Sequence, residues 1–529
     1  MDIKKYMSIL DVIFSLIISF IFNIMPNYYN EDTFKFNFNI FINIIILGII
    51  FLGITYLLRF IINKFNKEDI GNHKLRFYFL IIFFCWVPIL LILYPGTFSN
   101  DTYGQLAQFS SFNFTDHHPI FDTLVMGTMI FPLAKITGEW HLIMFVYVFI
   151  QAIITSLVFG YSLIYAQNKL KLNKKFIYFF LIIYALLPIF PMCVQEINKD
   201  TIFSWIYVLF FINYIEIIRS NGENLKNKQN FISLIIISIL CCLTKKIGTY
   251  VILLSYIVLF FIKIENKKKI LYPFLSIIII MFGILPITFK IFNIQKGNSQ
   301  EKYSLLFQQT ARYVKYHQEE ISKEEKEIIE TAIGKDLNTI KEVYNPTFAD
   351  PVKGGEQSTG KKGYIKYLLV WFKEGLKHPI TYIDATNSML SGWLSFKEYK
   401  PLMNMNWHNQ LDPNIIPEKT TERTFNKKTA DNYEKLYDHI YQIPIIGVLF
   451  TTGLYTCLIP IFVILTIIKY NKKNILAILP LILSIALGCF LAPASENIEG
   501  QRYLIPIIYT VIISLMWCIY SIKNENSIK

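Results

Sequence analysis

The sequence predicts an all-α polytopic membrane protein, and three observations carry that prediction. Its 529 residues are 53% hydrophobic and only 17% charged, with 45 Phe and 33 Tyr. Runs such as "NIIILGIIFLGITYLL" are long enough to cross about 30 Å of hydrocarbon as helices. The basic residues behind the net charge of +13 gather in short loops between such runs, which is a topological signature and no nucleic-acid motif accompanies it. Backbone amides in lipid must be satisfied within the span, and continuous apolar runs select helices over the alternating strands of a barrel.

Taken in order, the runs predict about twelve crossings, at about 7–25, 39–62, 77–94, 141–166, 176–192, 200–218, 230–244, 247–264, 270–288, 443–468, 474–491 and 503–521. They divide the chain into a two-helix region (1–76), a membrane core (77–288), an outer helical cap domain (289–442) and a three-helix region (443–529). The first run, in "MDIKKYMSILDVIFSLIISF", has no small-residue cleavage site and is expected to stay as an anchor, with Asp11 near the cytoplasmic interface. One apolar stretch, about 120–134, is left over. Counting it as a span would put the basic "QNKLKLNKKF" (167–176) outside, so it is expected to be a re-entrant or juxtamembrane helix.

With that choice 23 Lys and Arg, among them Lys4, Lys5, Arg59 and the 263–269 cluster, fall on one side. The short loops opposite hold six: Lys35, Lys135, Lys199, Lys245, Lys246 and Arg502. The bias predicts a multi-pass cell-membrane protein with both termini cytoplasmic and anionic lipid as the partner of its basic loops. The seven Cys lie in or beside spans, so neither a disulfide framework nor a metal-binding Cys pair is expected. In the long polar segment, "SKEEKEIIETAIGKD" and "YIKYLLVWFKEGLKHPITYIDATNSMLSGW" read as amphipathic helices, the second with an apolar face for the membrane surface.

Apart from the basic loops, the ionisable clusters beside spans all fall on the outer side: Asp101, Asp116, His117 and His118; Glu196, Lys199 and Asp200; Lys245 and Lys246; Glu496, Glu499 and Arg502. Charges at a membrane boundary are costly to desolvate and point to a site, against the simpler reading that outer loops are polar. Asp101 follows "YPGT", a turn at a membrane exit, and reads either as a general base or as the N-cap of "TYGQLAQF". His118, before Pro119, reads as a turn residue or as an imidazole held toward a phosphate, with Asp116 and His117 setting its tautomer or binding a metal. Glu196 and Asp200 are four apart and share a face if their helix starts early; Asp200 would otherwise complement the helix dipole. Lys245, Lys246 and Arg502 read as phosphate ligands, or as side chains snorkelling to the interface.

The pattern D-T-Y…D-H-H-P, formed by Asp101, Tyr103, Asp116, His118 and Pro119, resembles the first outer loop of the polytopic GT-C glycosyltransferases, in particular their protein mannosyltransferase and aminoarabinose transferase branch. "QEINKDTIF", with Asp200 opening a span, and "EGQRYLIP", with Arg502 and Tyr503, are similar to later motifs of that group. Two spans precede the matching region, and Ile120 stands where the group has a second Pro. The resemblance implies transfer of a sugar from a polyprenyl-phosphate donor to a cell-envelope acceptor on the outer face, with Asp101 as base. Asp200 and His118 would orient the reactants, and Tyr103, Asp116, His117, Glu196, Lys199, Lys245, Lys246, Arg502 and Tyr503 would bind substrate. It leaves open a divalent metal, Mg or Mn, because Asn100 and Thr102 flank Asp101 where the group has paired acids. The competing classes are a transporter or flippase of lipid-linked saccharide, for which mid-span charges and duplicated halves would speak, and a membrane scaffold.

Overall fold

A computed structural model describes residues 3–65, 69–97, 100–297, 299–353, 361–396, 427–491 and 502–524. Its described residues are helical throughout, apart from three isolated bridges. After one helical turn, Ile3–Tyr6, come α1 (Ile9–Glu31) and α2 (Phe38–Phe65), followed by α3 (Leu75–Ile92), α4 (Asn100–Ser111), α5 (Ile120–Thr137) and α6 (Trp140–Asn168). Next come α7 (Lys174–Leu186), α8 (Ile189–Val194), α9 (Lys199–Arg219), α10 (Lys228–Thr244), α11 (Lys246–Phe261) and a longer stretch, α12 (Lys267–Ile291). The long polar segment expected to lie outside the membrane, called the outer segment for that expectation, holds α13 (Ser304–His317), α14 (Lys323–Ile333), α15 (Leu337–Val343), α16 (Lys361–Lys377), α17 (Pro379–Leu394) and α18 (Lys427–Gln442). Three apolar helices close the chain: α19 (Leu454–Tyr470), α20 (Lys472–Phe490) and α21 (Arg502–Lys523).

Among the described residues nine helices are long and apolar enough to cross a membrane, and three shorter apolar helices, α10, α11 and α19, accompany them. Several long apolar helices make this a membrane protein. The largest apolar core is built around α21, the most enclosed of the nine, with α9 and α6 packed beside it. The α1–α2 pair is peripheral, and α2 buries least of all. A second core, centred on Phe307, Ile329, Ile340 and Tyr367, gives the outer segment its own interior.

Three sequence expectations need correction. The 176–192 run is two helices, because Pro188 has no N–H to donate and holds Leu187 extended, ψ 116°. The 443–468 run becomes a bundle helix only at Leu454; a 3₁₀ turn, Gly447–Phe450, precedes it, and Ile445 sits at φ 72°. Arg59 does not belong to a basic loop: it is fully buried in α2, where its guanidinium meets Asp11 at 2.8 Å and donates to Thr466 Oγ1 at 3.0 Å. The leftover apolar stretch is an unbroken helix, α5, itself long and apolar enough to be a crossing candidate.

Contacts between distant loops order the bundle. Lys174 N donates to Asp69 O, Lys523 Nζ to Lys171 O and Lys469 Nζ to Met7 O, so the basic loops meet one another at one end. At the other end Thr97 pairs with Glu196, and Thr115 with Gln295. The outer segment is seated on the N-terminal hairpin there: Tyr28 donates to Asp384 at 2.8 Å, and Arg312 bridges Asp32 and Asp384.

Candidate functional site

Four chain segments converge where Asp101, Asp200, Lys245 and Arg502 meet. The turn after α3 starts the arrangement: Gly96, at φ 106°, lets the backbone reverse, and a Cβ there would lie 2.9 Å from the carbonyl oxygen of Gln195. Thr97 then donates its N–H to Gln195 O and accepts from Ile197 N, and Thr102 Oγ1 donates to Ile197 O at 2.5 Å. These bonds bring the first turn of α4, with Asp101, against the start of α9. The C-terminal half of α4 lies on α5 at Gly127, where a Cβ would come within 2.1 Å of the Phe109 ring. Asn198 caps α9 by accepting from Thr201 N at 2.8 Å, which places Asp200 in the first helical turn.

The centre itself is a chain of alternating charges. Lys245 Nζ donates to Asp200 Oδ1 at 2.6 Å, and Arg502 reaches Asp200 Oδ2 from Nε at 3.4 Å while donating from Nη2 to Asp101 Oδ2 at 2.5 Å. Lys199 Nζ donates to the same Asp101 oxygen at 2.6 Å and to His118 Nδ1 at 2.9 Å. An ammonium only donates, so His118 carries its proton on Nε2. The Tyr503 ring lies under both Lys245, at 4.9 Å, and Arg502, at 5.3 Å. Asp200, Lys199, Lys245 and Arg502 are buried, and Asp101 is partly so.

This arrangement sets the protonation of the residues outside the helical spans. Burial alone would raise the Asp101 carboxyl, but Lys199, Arg502 and His118 hold it well below the usual carboxylate range. Burial and the adjacent Lys199 push His118 down to about 3, so its ring is neutral near pH 7. Burial pushes Glu196 up to about 7 against the opposing pull of Arg502.

The other sequence-predicted residues scatter. Glu196 lies before the N-cap, not on the face of Asp200, and accepts from Asn198 Nδ2 at 2.5 Å. Asp116 does not orient His118: its carboxylate accepts from Gly297 N, and its backbone N–H donates to Gln295 O, so it clamps the first outer loop to the start of the outer segment. His117 is exposed. Lys246 is exposed too, donating to Asp116 O, and so diverges from Lys245. Tyr103 packs against the bundle's apolar core. The N-cap role considered for Asp101 is displaced, since its carboxylate faces cations from α9 and α21. Glu496 and Glu499 lie outside the described residues.

One residue of the centre was missed. Asp122, in the first turn of α5, is fully buried, and neither carboxylate oxygen has a hydrogen-bond partner among the described residues. It lies within electrostatic reach of Lys199, Asp200 and Lys245. The signal was present in "HPIFDTLVM", a lone acid inside an apolar run.

Beside Lys245 and Tyr503 a narrow apolar crevice of about 20 Å³ lies between α9, α11, α20 and α21. Phe203, Gly248, Val251, Gly488, Pro506 and Ile507 line it, and Trp393 of the outer segment closes one wall. Lys245 is the cation on its wall.

Comparison with known proteins adds little to the chemistry. No curated protein and no solved structure matches the chain. One family model covers residues 110–529, which takes in His118, Asp122, Asp200, Lys245 and Arg502 and leaves out Asp101. By that match the chain belongs to the family described as "Family of unknown function (DUF6020)".

Proposed function

We propose that the protein is a GT-C type glycosyltransferase that moves a sugar from a polyprenyl-phosphate donor to a cell-envelope acceptor at the outer face of the membrane. The observation that carries this reading is the joining of two features: a buried centre with three cations, Lys199, Lys245 and Arg502, and a narrow apolar crevice that starts at Lys245 and would widen to admit a lipid chain. An isoprenoid phosphate has the matching chemistry, an apolar chain ending in an anion. Arg502 and Lys199 supply donors to phosphate oxygens, Arg502 through its fork.

In the reaction the acceptor oxygen bonds to the anomeric carbon as that carbon's bond to the phosphate oxygen breaks. The electron pair leaves with the phosphate, and the acceptor's proton goes to Asp101. Asp101 as found is a weak base, because Lys199 and Arg502 hold it ionised. A donor phosphate that draws those two cations to itself releases Asp101 and raises its basicity, so donor binding would arm the base. Asp200 keeps Lys245 and Arg502 in place. Where a divalent ion takes part, Asp101, Asp200 and Asp122 are the carboxylates of the centre that would have to draw together to hold it, since among the described residues they form no ready ligand group.

The same reading sets the topology at twelve crossings in the cell membrane, with α7 and α8 together forming one and α5 lying across the outer end. Both ends of α5 support this: its start follows His118, and its end meets α6, whose His141 and Phe145 rings pack on Tyr94 beside the Thr97–Glu196 pairing. The basic loops then face the cytoplasm with both termini.

The test is turnover of the purified protein with a panel of polyprenyl-phosphate sugars. Asp101→Asn keeps the size and removes the proton acceptor, so the rate falls by about 10²–10⁴ while donor binding persists. Arg502→Ala weakens donor binding instead. Near-normal turnover by Asp101→Asn with an identified donor would refute the mechanism.

A further inference from the structure

A second group of side chains, far along the sequence from the ionic centre, converges in the outer segment. His317 ends α13, Glu320 follows in a 3₁₀ turn, and His378 occupies the junction between α16 and α17. Their candidate ligand atoms lie within 4.8 Å of one another. His317 Nδ1 is 3.4 Å from Glu320 Oε1, and His378 Nε2 is 3.1 Å from Glu320 Oε2. The two imidazoles stack with centroids 3.7 Å apart, an arrangement that disfavours protonating both. All three side chains are partly accessible to solvent.

We propose that His317, Glu320 and His378 form a divalent transition-metal site, of the zinc class, that ties the end of α13 to the α16–α17 junction. Bonds of about 2.0–2.1 Å in a tetrahedron put neighbouring ligand atoms roughly 3.4 Å apart. Each imidazole stands near that separation from its own Glu320 oxygen, His317 Nδ1 at 3.4 Å from Oε1 and His378 Nε2 at 3.1 Å from Oε2, and the stacked rings turn apart when both lone pairs meet one ion. Two imidazoles and one carboxylate are a ligand set that suits zinc, with water in the fourth position. The surroundings fit as well. His317 Nε2 faces Thr381 Oγ1 at 3.1 Å, and when its N–H donates there the Nδ1 lone pair is turned toward Glu320, where a cation and not another acceptor belongs. Without a metal, Lys377 Nζ supplies the positive charge, donating to Glu320 Oε2 at 2.5 Å. Its side chain is half exposed. The proposal is independent of the sugar-transfer reading.

The experiment uses the full chain in detergent, stripped with a chelator and titrated with Zn²⁺ against a chromophoric competitor. One equivalent binds. His317→Gln and His378→Gln each weaken it by about 100-fold or more, and Thr381→Val weakens it by about 10-fold. Lys377→Met removes a competing cation and tightens binding several-fold, whereas a site that is only a salt bridge would gain no zinc affinity from that change. Co²⁺ added to the unsubstituted chain gives the intense visible bands of four-coordinate cobalt, a readout that does not depend on any variant folding. Absence of stoichiometric zinc, binding that survives in both His variants, or a six-coordinate cobalt spectrum would each overturn the assignment.

Discussion

The pH behaviour of the centre is set by two residues whose shifts oppose each other. His118 ionises near 6.5 when unfolded and is pushed down to about 3 in the fold, so between those values the unfolded chain binds the extra proton and stability rises with pH. Glu196 moves the other way, from 4.5 up to about 7, so the folded chain holds the extra proton and stability falls as pH rises through that window. The two slopes oppose each other between about 4.5 and 6.5. Burial likewise pushes Glu374 of α16 up to about 8, which adds a second fall, so thermal unfolding in detergent should show stability declining as pH rises from about 4.5 to 6.5 in the unsubstituted chain. His118→Asn, which keeps an acceptor for Lys199, should steepen that decline, and Glu196→Gln should flatten it; parallel profiles for all three proteins would contradict these assignments. Asp122 offers a separate measurement. A buried carboxyl without hydrogen bonds destabilises a fold by about 1–3 kcal/mol. Asp122→Ala should accordingly raise the melting temperature by roughly 2–6 °C, and turnover should fall because the side chain lies beside Lys199, Asp200 and Lys245. An unchanged melting temperature would mean that the carboxyl has partners the structure does not display.

Helices locate what single residues cannot. Apolar run length matched eight of the nine crossing candidates among the described residues, Ile120–Thr137 being the ninth, and the starts of α9 and α21 fall within two residues of expectation because Asn198 and the Arg502–Tyr503–Leu504 turn mark them. Run length alone could not tell that Pro188 splits one run, nor that Gly447 and Gly453 bracket a turn within another. Hydropathy could not distinguish Arg59 in a loop from Arg59 inside α2, since its partner Asp11 is 48 residues away. For the site, the helix ends exposed Asp101, Asp200, Lys245 and Arg502 to view; the divergence of Lys246, Asp116 and His117 depends on loop geometry that spacing does not encode. The Asp11–Arg59 pair predicts its own test. Neither residue is solvent-exposed, so removing one leaves a lone buried charge, and Asp11→Asn should cost about 3–5 kcal/mol. The double variant Asp11→Leu, Arg59→Met should recover most of that loss in thermal stability, as apolar replacement of a buried pair does. Additive losses in the double variant would contradict the pairing.

At the scale of the whole molecule, the proposed orientation rests on where charge and apolar surface fall. Basic loops gather at one end, and the ionic centre and outer segment occupy the other. Along α16 and α17 the residues Ile365, Leu369, Phe372, Leu376, Ile380 and Ile383 form an exposed stripe at helical spacing. Amphipathic helices of this kind rest in the interface of a bilayer, and the stripe would place them on the outer leaflet beside the bundle. Positioned so, the outer segment keeps Trp393 over the crevice next to Lys245. Single cysteines decide the orientation with little background, because six of the seven native Cys are buried and Cys85 is only partly accessible. Ser110→Cys in α4 and Glu324→Cys in α14 should react with an impermeant maleimide added outside intact cells. Lys226→Cys and Lys267→Cys, in loops joined by the Glu265–Asn221 bond, should react only after permeabilisation. An α5 that crossed the membrane would reverse every segment after it, so Ser110 would still label from outside while Glu324 became protected and Lys226 reactive. That mixed pattern would remove the twelve-crossing arrangement and, with it, the placement of Asp101 and Asp200 at a common outer face.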